Sequence, residues 1–284
     1  MISTIDPRPR TVDSNTVSPS LTSNAAAIYL EYDIDNPPPH PGSSWTRFVC
    51  ISDTHSHIYP IPPGDVLLHS GDLSTGSNFT NFVLAIKWLS SLHHPVKIVT
   101  AGNHDLCLDN DWREDGALSC LTGVVVDSDV ADAAQMLVRS DVIRNAGIYY
   151  LEHEAVEVTT AGGRTWRVYG SPAAPRNKDR YGAFQYKFGE GKEIYDRIPP
   201  STEVLLTHTP PLGTLDKTKR GQEAGCKDLA TSLASETLVG CRLHVFGHIH
   251  EAHGARINES TNGRVSVNAA LAHCGQAVIV DLRN

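Results

Sequence analysis

Five times along this chain a short run of apolar, mostly branched residues stops at a polar cluster. The clusters are Asp53-Thr54-His55, Gly71-Asp72, Gly102-Asn103-His104-Asp105, His208 and Gly247-His248-Ile249-His250. Short branched runs read as buried strands. In open α/β sheets, sites form in the crevice outside the carboxyl ends of such strands. A fold that sends all five runs the same way therefore gathers carboxylates, imidazoles and an amide at one cleft.

The pattern around the clusters supplies the rest of the fold. Arg47 to Ile51 and Asp65 to His69 read as strands, and Phe79, Phe82, Val83, Ile86 and Leu89 mark one face of a helix capped by Ser77 or Asn78. Val96 to Thr100 is the next strand. A helix from Asp129 to Val138 follows, then strands at Gly147 to Val158, Thr165 to Tyr169 and Glu203 to Leu206. A helix around Cys226 to Leu233 precedes strands at Leu243 to Phe246, Gly263 to Val267 and Ala277 to Asp281. Alternation followed by a strand-rich end predicts an α/β fold of two packed mixed β-sheets flanked by helices. Residues 1–45, rich in Ser, Thr, Asn and Pro, are expected to form a flexible arm, with 46–284 as the domain. Ile28, Tyr29, Leu30 and Tyr32 give that arm one segment able to dock.

Composition narrows the function. A hydrophobic fraction of 40% and a charged fraction of 20% suit a globular chain, and no apolar run approaches the roughly 18 residues of a membrane span. Six cysteines without C-x-x-C spacing, and a start without an export signal, predict free thiols and a cytoplasmic protein. A zinc cluster of Cys241, His244 and Cys274 is disfavoured by its irregular spacing. The net charge of −8 argues against an extensive nucleic-acid surface. It does not argue against a phosphate substrate, because bound dications are often the largest local charges at a site.

Phosphate esters resist hydrolysis because their oxygens repel a nucleophile and the alkoxide leaves poorly. Two cations about 3.5–4 Å apart relieve both difficulties, and the donors they need are a shared carboxylate, imidazoles and a neutral oxygen. Each cluster alone has a bland reading. Gly-Asp and Gly-Asn are common turns, a lone histidine before Pro210-Pro211 can be a loop residue, and His248 and His250 could point to opposite faces of a strand. Five such coincidences in one order are what the bland reading requires. His69, His93, His94, His153, His244 and His273 are read as structural or exposed.

In this order the motifs D-x-H, G-D, G-N-H-D, H and G-H-x-H resemble those of the calcineurin-like metallophosphoesterase superfamily. Within it the chain is similar to the metallophosphoesterase-domain-containing branch, related to class III cyclic-nucleotide phosphodiesterases. The stretches that carry this are Arg47 to His57, Tyr169 to Pro175, Leu205 to Asp216 and His244 to Gly254. The resemblance implies that Asp53, His55 and His250 hold one ion, that Asp72 bridges, and that Asn103, His208 and His248 hold the second. It implies that His104, oriented by Asp105, faces the phosphate and protonates the leaving oxygen. Asn103 and His104 are candidate substrate contacts, and His57, two residues past a ligand, either reaches the phosphate or is structural. The implied cofactors are two divalent ions, Mn2+ first with Fe, Zn or Mg as alternatives, and the implied reaction is in-line attack of a metal-bridging hydroxide on a phosphodiester. A small phosphorylated substrate such as a cyclic nucleotide is expected. A phosphomonoesterase or nuclease on the same centre, and a non-catalytic nucleotide- or protein-binding scaffold, remain alternatives. Some relatives carry Gly where this chain keeps His248. The Asp-Arg pair of protein phosphatases is missing after Asp72, which disfavours a phosphoprotein substrate.

One segment is open in function. Arg176 to Arg197 has six basic and four acidic residues, +2 within a chain of −8, interleaved with Tyr181, Phe184, Tyr186, Phe188 and Tyr195. Such rings can stack a base, or they can pack on the core beneath a long surface excursion.

Overall fold

The computed structural model describes residues 18–113, 116–176, 181–187, 189–272 and 275–284. Two mixed sheets pack face to face. The first runs from edge to edge as Leu21–Thr22, Ala26–Tyr29, Val278–Arg283, Trp45–Ile51, Val66–Ser70, Val96–Thr100 and Ile148–Tyr150. The second runs Gly254–Asn258, Arg264–Asn268, Leu243–Phe246, Val204–Thr207, Thr165–Ser171 and Glu154–Thr159. The strands that precede the clusters run parallel to one another within each sheet, so their carboxyl ends emerge together.

Alternation along each strand builds the layers. Phe48, Cys50, Val66, Leu68 and Ile98 face Val204, Leu206, Val245 and Val267 between the sheets. Val49, Leu67 and Val99 point the other way, against Phe82, Ile86 and Leu89 of helix Phe79–Ser91. That helix starts where Asn78 accepts a hydrogen bond from the Asn81 amide. Tyr169 and Leu205 face Leu229 and Leu233 of helix Lys227–Ala234 on the far side. The expected sandwich with outer helices is the fold observed. Among the described residues no helix is long and apolar enough to cross a membrane.

Three local features differ from the sequence reading. The run Gly147 to Val158 is two strands, in different sheets. Ile148–Tyr150 lies parallel to Lys97–Val99 and Glu154–Thr159 lies antiparallel to Thr165–Ser171, with His153 at φ +56° between them. Alternation reports that a strand exists, not which sheet it joins. Gly254–Asn258, not read as a strand, pairs antiparallel with Arg264–Asn268. Part of the expected arm lies on the domain: Ala26–Tyr29 pairs with Val278–Arg283, and the buried Tyr32 hydroxyl donates to the Ala277 carbonyl at 2.7 Å. Arg47 fixes the proline run, donating to the carbonyls of Pro38 (2.5 Å) and Pro39 (3.0 Å) while its fork meets Asp281 at 2.8 Å through both Nε and Nη2. Among the described residues, strand pairing is already present from Leu21, upstream of the expected boundary at 45. Residues 1–17 lie outside the described ones.

Candidate metal centre

The cluster residues leave their strands through unusual backbone. Asp53, His55, Asp72 and His248 all lie at positive φ, between +47° and +67°. For non-glycine residues that conformation costs of order 1–3 kcal/mol each, and it persists where the surroundings over-determine it. Here three hydrogen bonds zip the first two loops together: Asp53 N to Gly71 O, His55 N to Asp72 O, and Ser56 N to Leu73 O, at 2.9, 3.0 and 2.9 Å. Close approach requires glycine at two further points. A Cβ on Gly247 would lie 1.9 Å from Asp53 Oδ2, and one on Gly102 would lie 2.4 Å from Asp72 Oδ1.

Two groups of donors meet at Asp72. On one side Asp53, His55, Asp72 and His250 each turn one ligand atom inward, and these atoms all lie within 4.8 Å of one another. His250 Nε2 is 3.0 Å from Asp53 Oδ1, and His55 Nε2 is 3.8 Å from Asp72 Oδ2. On the other side His208 Nε2 lies 3.5 Å from Asp72 Oδ1, 2.8 Å from Asn103 Oδ1 and 3.2 Å from His248 Nδ1. The two Asp72 oxygens thus face different imidazoles. His208 places Nδ1 3.0 Å from the Ser70 carbonyl, which fixes Nδ1 as the protonated nitrogen and leaves the Nε2 lone pair facing the cleft. The feared divergence of His248 and His250 is removed by the backbone: the strand ends at Phe246, His248 turns at positive φ, and His250 opens a 3-10 turn.

Charge and burial suit a cation here. Asp72 is 1% exposed, and burial together with the charges of Asp53 and Asp105 raises its carboxyl well above the usual range. Burial would raise Asp53 too, but the hydrogen bond with His250 and the surrounding imidazoles hold it below its ordinary value. Burial pushes His55 down to about 4 and His248 to about 3. Near neutral pH these imidazoles are uncharged, the form that ligates a metal. Crowded carboxylates, neutral imidazoles and one amide oxygen form a mixed N/O set that fits a first-row dication or magnesium.

The remaining expected residues divide. His104 is exposed at the rim, its amide donating to Asp72 Oδ1 at 2.7 Å and its ring edge-on to His55 with centroids 4.9 Å apart. Asp105 was expected to orient that ring; the contacts it makes run to backbone amides and Ser74. It is wholly buried, one oxygen accepting from Leu73 N (3.1 Å) and Gly102 N (2.8 Å), the other from Ser74 N (2.8 Å) and Ser74 Oγ (2.9 Å). With donors on both oxygens it ties the Asp72 loop to the Asn103 loop. His57 is not drawn into the cluster: its Nδ1 sits 3.2 Å from the Thr54 carbonyl and its ring faces Tyr59.

One supporting residue was missed in the sequence, and one read as structural joins two of the loops. Buried Asn268 donates through Nδ2 to the carbonyls of Leu215 and Ile249, both at 3.0 Å, and so steadies the His248–His250 loop. The signal was available, since Asn268 ends the branched run Arg264-Val265-Ser266-Val267 as the clusters end theirs. His69, read as structural, joins the first two loops: Nε2 is 3.0 Å from Thr54 Oγ1, and Nδ1 accepts from Gly71 N at 3.3 Å. Cys50, Cys107, Cys120, Cys226 and Cys241 are free, and Cys274 and His273 lie outside the described residues.

Known proteins resemble this chain in sequence and in fold. The sequence pattern of the family described as Calcineurin-like phosphoesterase matches residues 46–252. Human metallophosphoesterase domain-containing protein 1 is 36% identical over 238 residues, which span 82% of this chain and 67% of the human one. A Caenorhabditis elegans UPF0046 protein is 31% identical over 246 residues, 86% of this chain and 76% of its own. A solved crystal structure at 13% identity shares the fold with a TM-score of 0.52, over 79% of this chain and 90% of the other.

Proposed function

This chain belongs to the calcineurin-like phosphoesterase family, and on that premise we propose that it hydrolyses phosphodiesters, cyclic nucleotides among them, at a two-cation centre. The observation that carries the reading is Asp72, whose oxygens face His55 on one side and His208 on the other. Asp53, His55, Asp72 and His250 would hold one ion; Asp72, Asn103, His208 and His248 would hold the second. When bound, such a pair supplies Lewis acidity for the phosphoryl oxygens and brings the pKa of a water towards 7. Manganese is the first assignment, with iron, zinc or magnesium able to substitute on this donor set.

The chain's own residues do the rest. Asp105, Asn268 and the Ser70 carbonyl hold the ligand loops and the His208 tautomer, so that little rearrangement is needed on binding. As water oxygen bonds to phosphorus and loses a proton to solvent, the opposite P–O bond breaks, and protonated His104 at the rim would give its ring proton to the departing oxygen and regain one from solvent. Gly71-Asp72-Leu73-Ser74-Thr75-Gly76 lacks the Asp-Arg pair of protein phosphatases, which supports a small substrate over a phosphoprotein. We place the protein in the cytoplasm, where its five free thiols among the described residues would stay reduced.

The test is the full chain reconstituted with Mn2+ and assayed on bis-p-nitrophenyl phosphate and p-nitrophenyl phosphate. Preference for the diester is expected. Strong preference for the monoester overturns the diesterase assignment, and silence on both leaves a binding scaffold. His104→Ala is expected to keep its metal and lose about 10²–10⁴ in turnover, the range for a lost acid–base group. Normal turnover would remove His104 from the mechanism.

A further inference from the structure

The basic, aromatic segment after strand Thr165–Ser171 sorts its rings into two sets. Tyr186 and Tyr195 are buried edge-to-face with their hydroxyls 3.2 Å apart, and Phe184 packs half-buried against the core. These rings serve the fold. Tyr181 does not: it remains 45% exposed, with the Arg176 guanidinium 5.2 Å from its ring centroid. Phe188, Lys178 and Arg180 lie outside the described residues.

The backbone fixes where Tyr181 stands. Gly182, the next residue, lies so close to Asn103 that a Cβ there would sit 2.8 Å from the Asn103 carbonyl oxygen and 2.9 Å from its Cβ. Ala183 N–H donates to that same carbonyl at 2.9 Å, and Phe184 N–H donates to Asp109 Oδ2 at 2.6 Å. The segment is therefore clamped to the loop that carries Asn103 and the exposed His104. Tyr181 is one residue from this clamp, and the clamped Asn103 is one residue from the exposed His104. Arg176 is tied back by its own amide to the Tyr186 carbonyl at 2.9 Å, and its Nε–H is buried without a hydrogen-bond partner among the described residues. A guanidinium on an aromatic face is a favourable pairing that props the ring.

We propose that Tyr181, propped by Arg176, is a specificity-determining residue that stacks on a planar heteroaromatic ring carried by the leaving alcohol, such as the base of a nucleotide whose sugar oxygen departs beside His104. This assignment rests on the two-cation phosphodiesterase reading and adds what lies beyond the phosphate. Aromatic stacking tolerates any base because every base has a π-face, so the site would select for a ring and not for one sequence of donors.

The test is calorimetric binding of adenosine 5′-monophosphate and of inorganic phosphate to the full chain, with Mn2+ and after its removal. Base–aromatic stacking is worth roughly 1–3 kcal/mol, so Tyr181→Ala is expected to weaken nucleotide binding about tenfold or more while phosphate binding stays within about twofold. Tyr181→Phe keeps the ring and is expected to restore nucleotide affinity. Unchanged nucleotide binding in Tyr181→Ala, an equal loss for both probes, or failure of Tyr181→Phe to restore affinity overturns the proposal. Wild-type protein that loads metal but binds nucleotide no better than phosphate overturns it as well, leaving the two-cation reading intact. Metal-free protein that still favours the nucleotide through Tyr181 supports the stacking residue and counts against the cation centre.

Discussion

One added methyl group at residue 247 should dismantle the metal centre. A Cβ there falls 1.9 Å from Asp53 Oδ2, 2.3 Å from Ser52 Oγ and 2.7 Å from Ser52 Cβ. Ordinary carbon–oxygen contact is well over 3 Å, so Gly247→Ala must move the Asp53 carboxylate or the Gly247 loop by about 1 Å. Neither yields easily: Asp53 is fully buried, and both its oxygens accept from the His248 amide, at 3.0 and 3.1 Å. Overpacking of this kind costs about 1–3 kcal/mol in stability. The loss at the site is larger in kind, because disturbing the partners of a ligand typically weakens metal affinity about 10–100-fold. The control is Gly240→Ala, where the nearest atom to a new Cβ beyond its chain neighbours is the Pro200 carbonyl oxygen at 4.0 Å. Metal content by elemental analysis and stability by urea unfolding would be measured on both variants. The Gly247 variant should lose metal while the Gly240 variant matches wild type. A Gly247→Ala protein with full metal content and normal stability would refute the close packing argued for Asp53.

Two further perturbations probe parts away from the site. Asp281→Ala leaves the Arg47 guanidinium, 3% exposed, facing only the Pro38 and Pro39 carbonyls among the described residues, and breaking such a buried pair should cost about 3–5 kcal/mol in urea unfolding; a loss below about 1 kcal/mol would show that the pair contributes little. His94 is buried with Nε2 on the Pro62 carbonyl and Nδ1 unpaired, and burial pushes it down to about 4. Its folded pKa is below the unfolded 6.5, so its contribution is complete above about pH 6.5 and is lost as pH falls towards 4, about 2 kcal/mol by pH 5. His94→Gln should flatten the difference between unfolding at pH 7 and pH 5, and a parallel pH dependence would contradict it.

Much of this centre could be read before any coordinates because its residues sit at strand ends. A branched run followed by Asp53 or by Gly71-Asp72 states both the strand and its polar terminus, and parallel pairing brings those termini together. What the sequence concealed is what depends on side-chain direction or sheet membership. Asp105 follows His104 in the chain, which invites a His–carboxylate pair, yet its oxygens point to amides 31 and 32 residues earlier in the chain. Leu151-Glu152-His153 hides a change of sheet within one alternating run, since period-two patterning is the same in either sheet. Ala26–Tyr29 is only four residues long, all apolar and without polar alternation, so it does not announce a strand; it is held by pairing with Val278–Arg283, some 250 residues away in sequence.

The account depends on cations shared through Asp72, and counting them is the shortest route to a decision. Elemental analysis of the Mn2+-reconstituted chain should find about two ions per molecule, and Asp72→Ala, folded by circular dichroism, should retain neither. A wild-type chain with no stoichiometric metal, or an Asp72→Ala chain that keeps both ions, would contradict it.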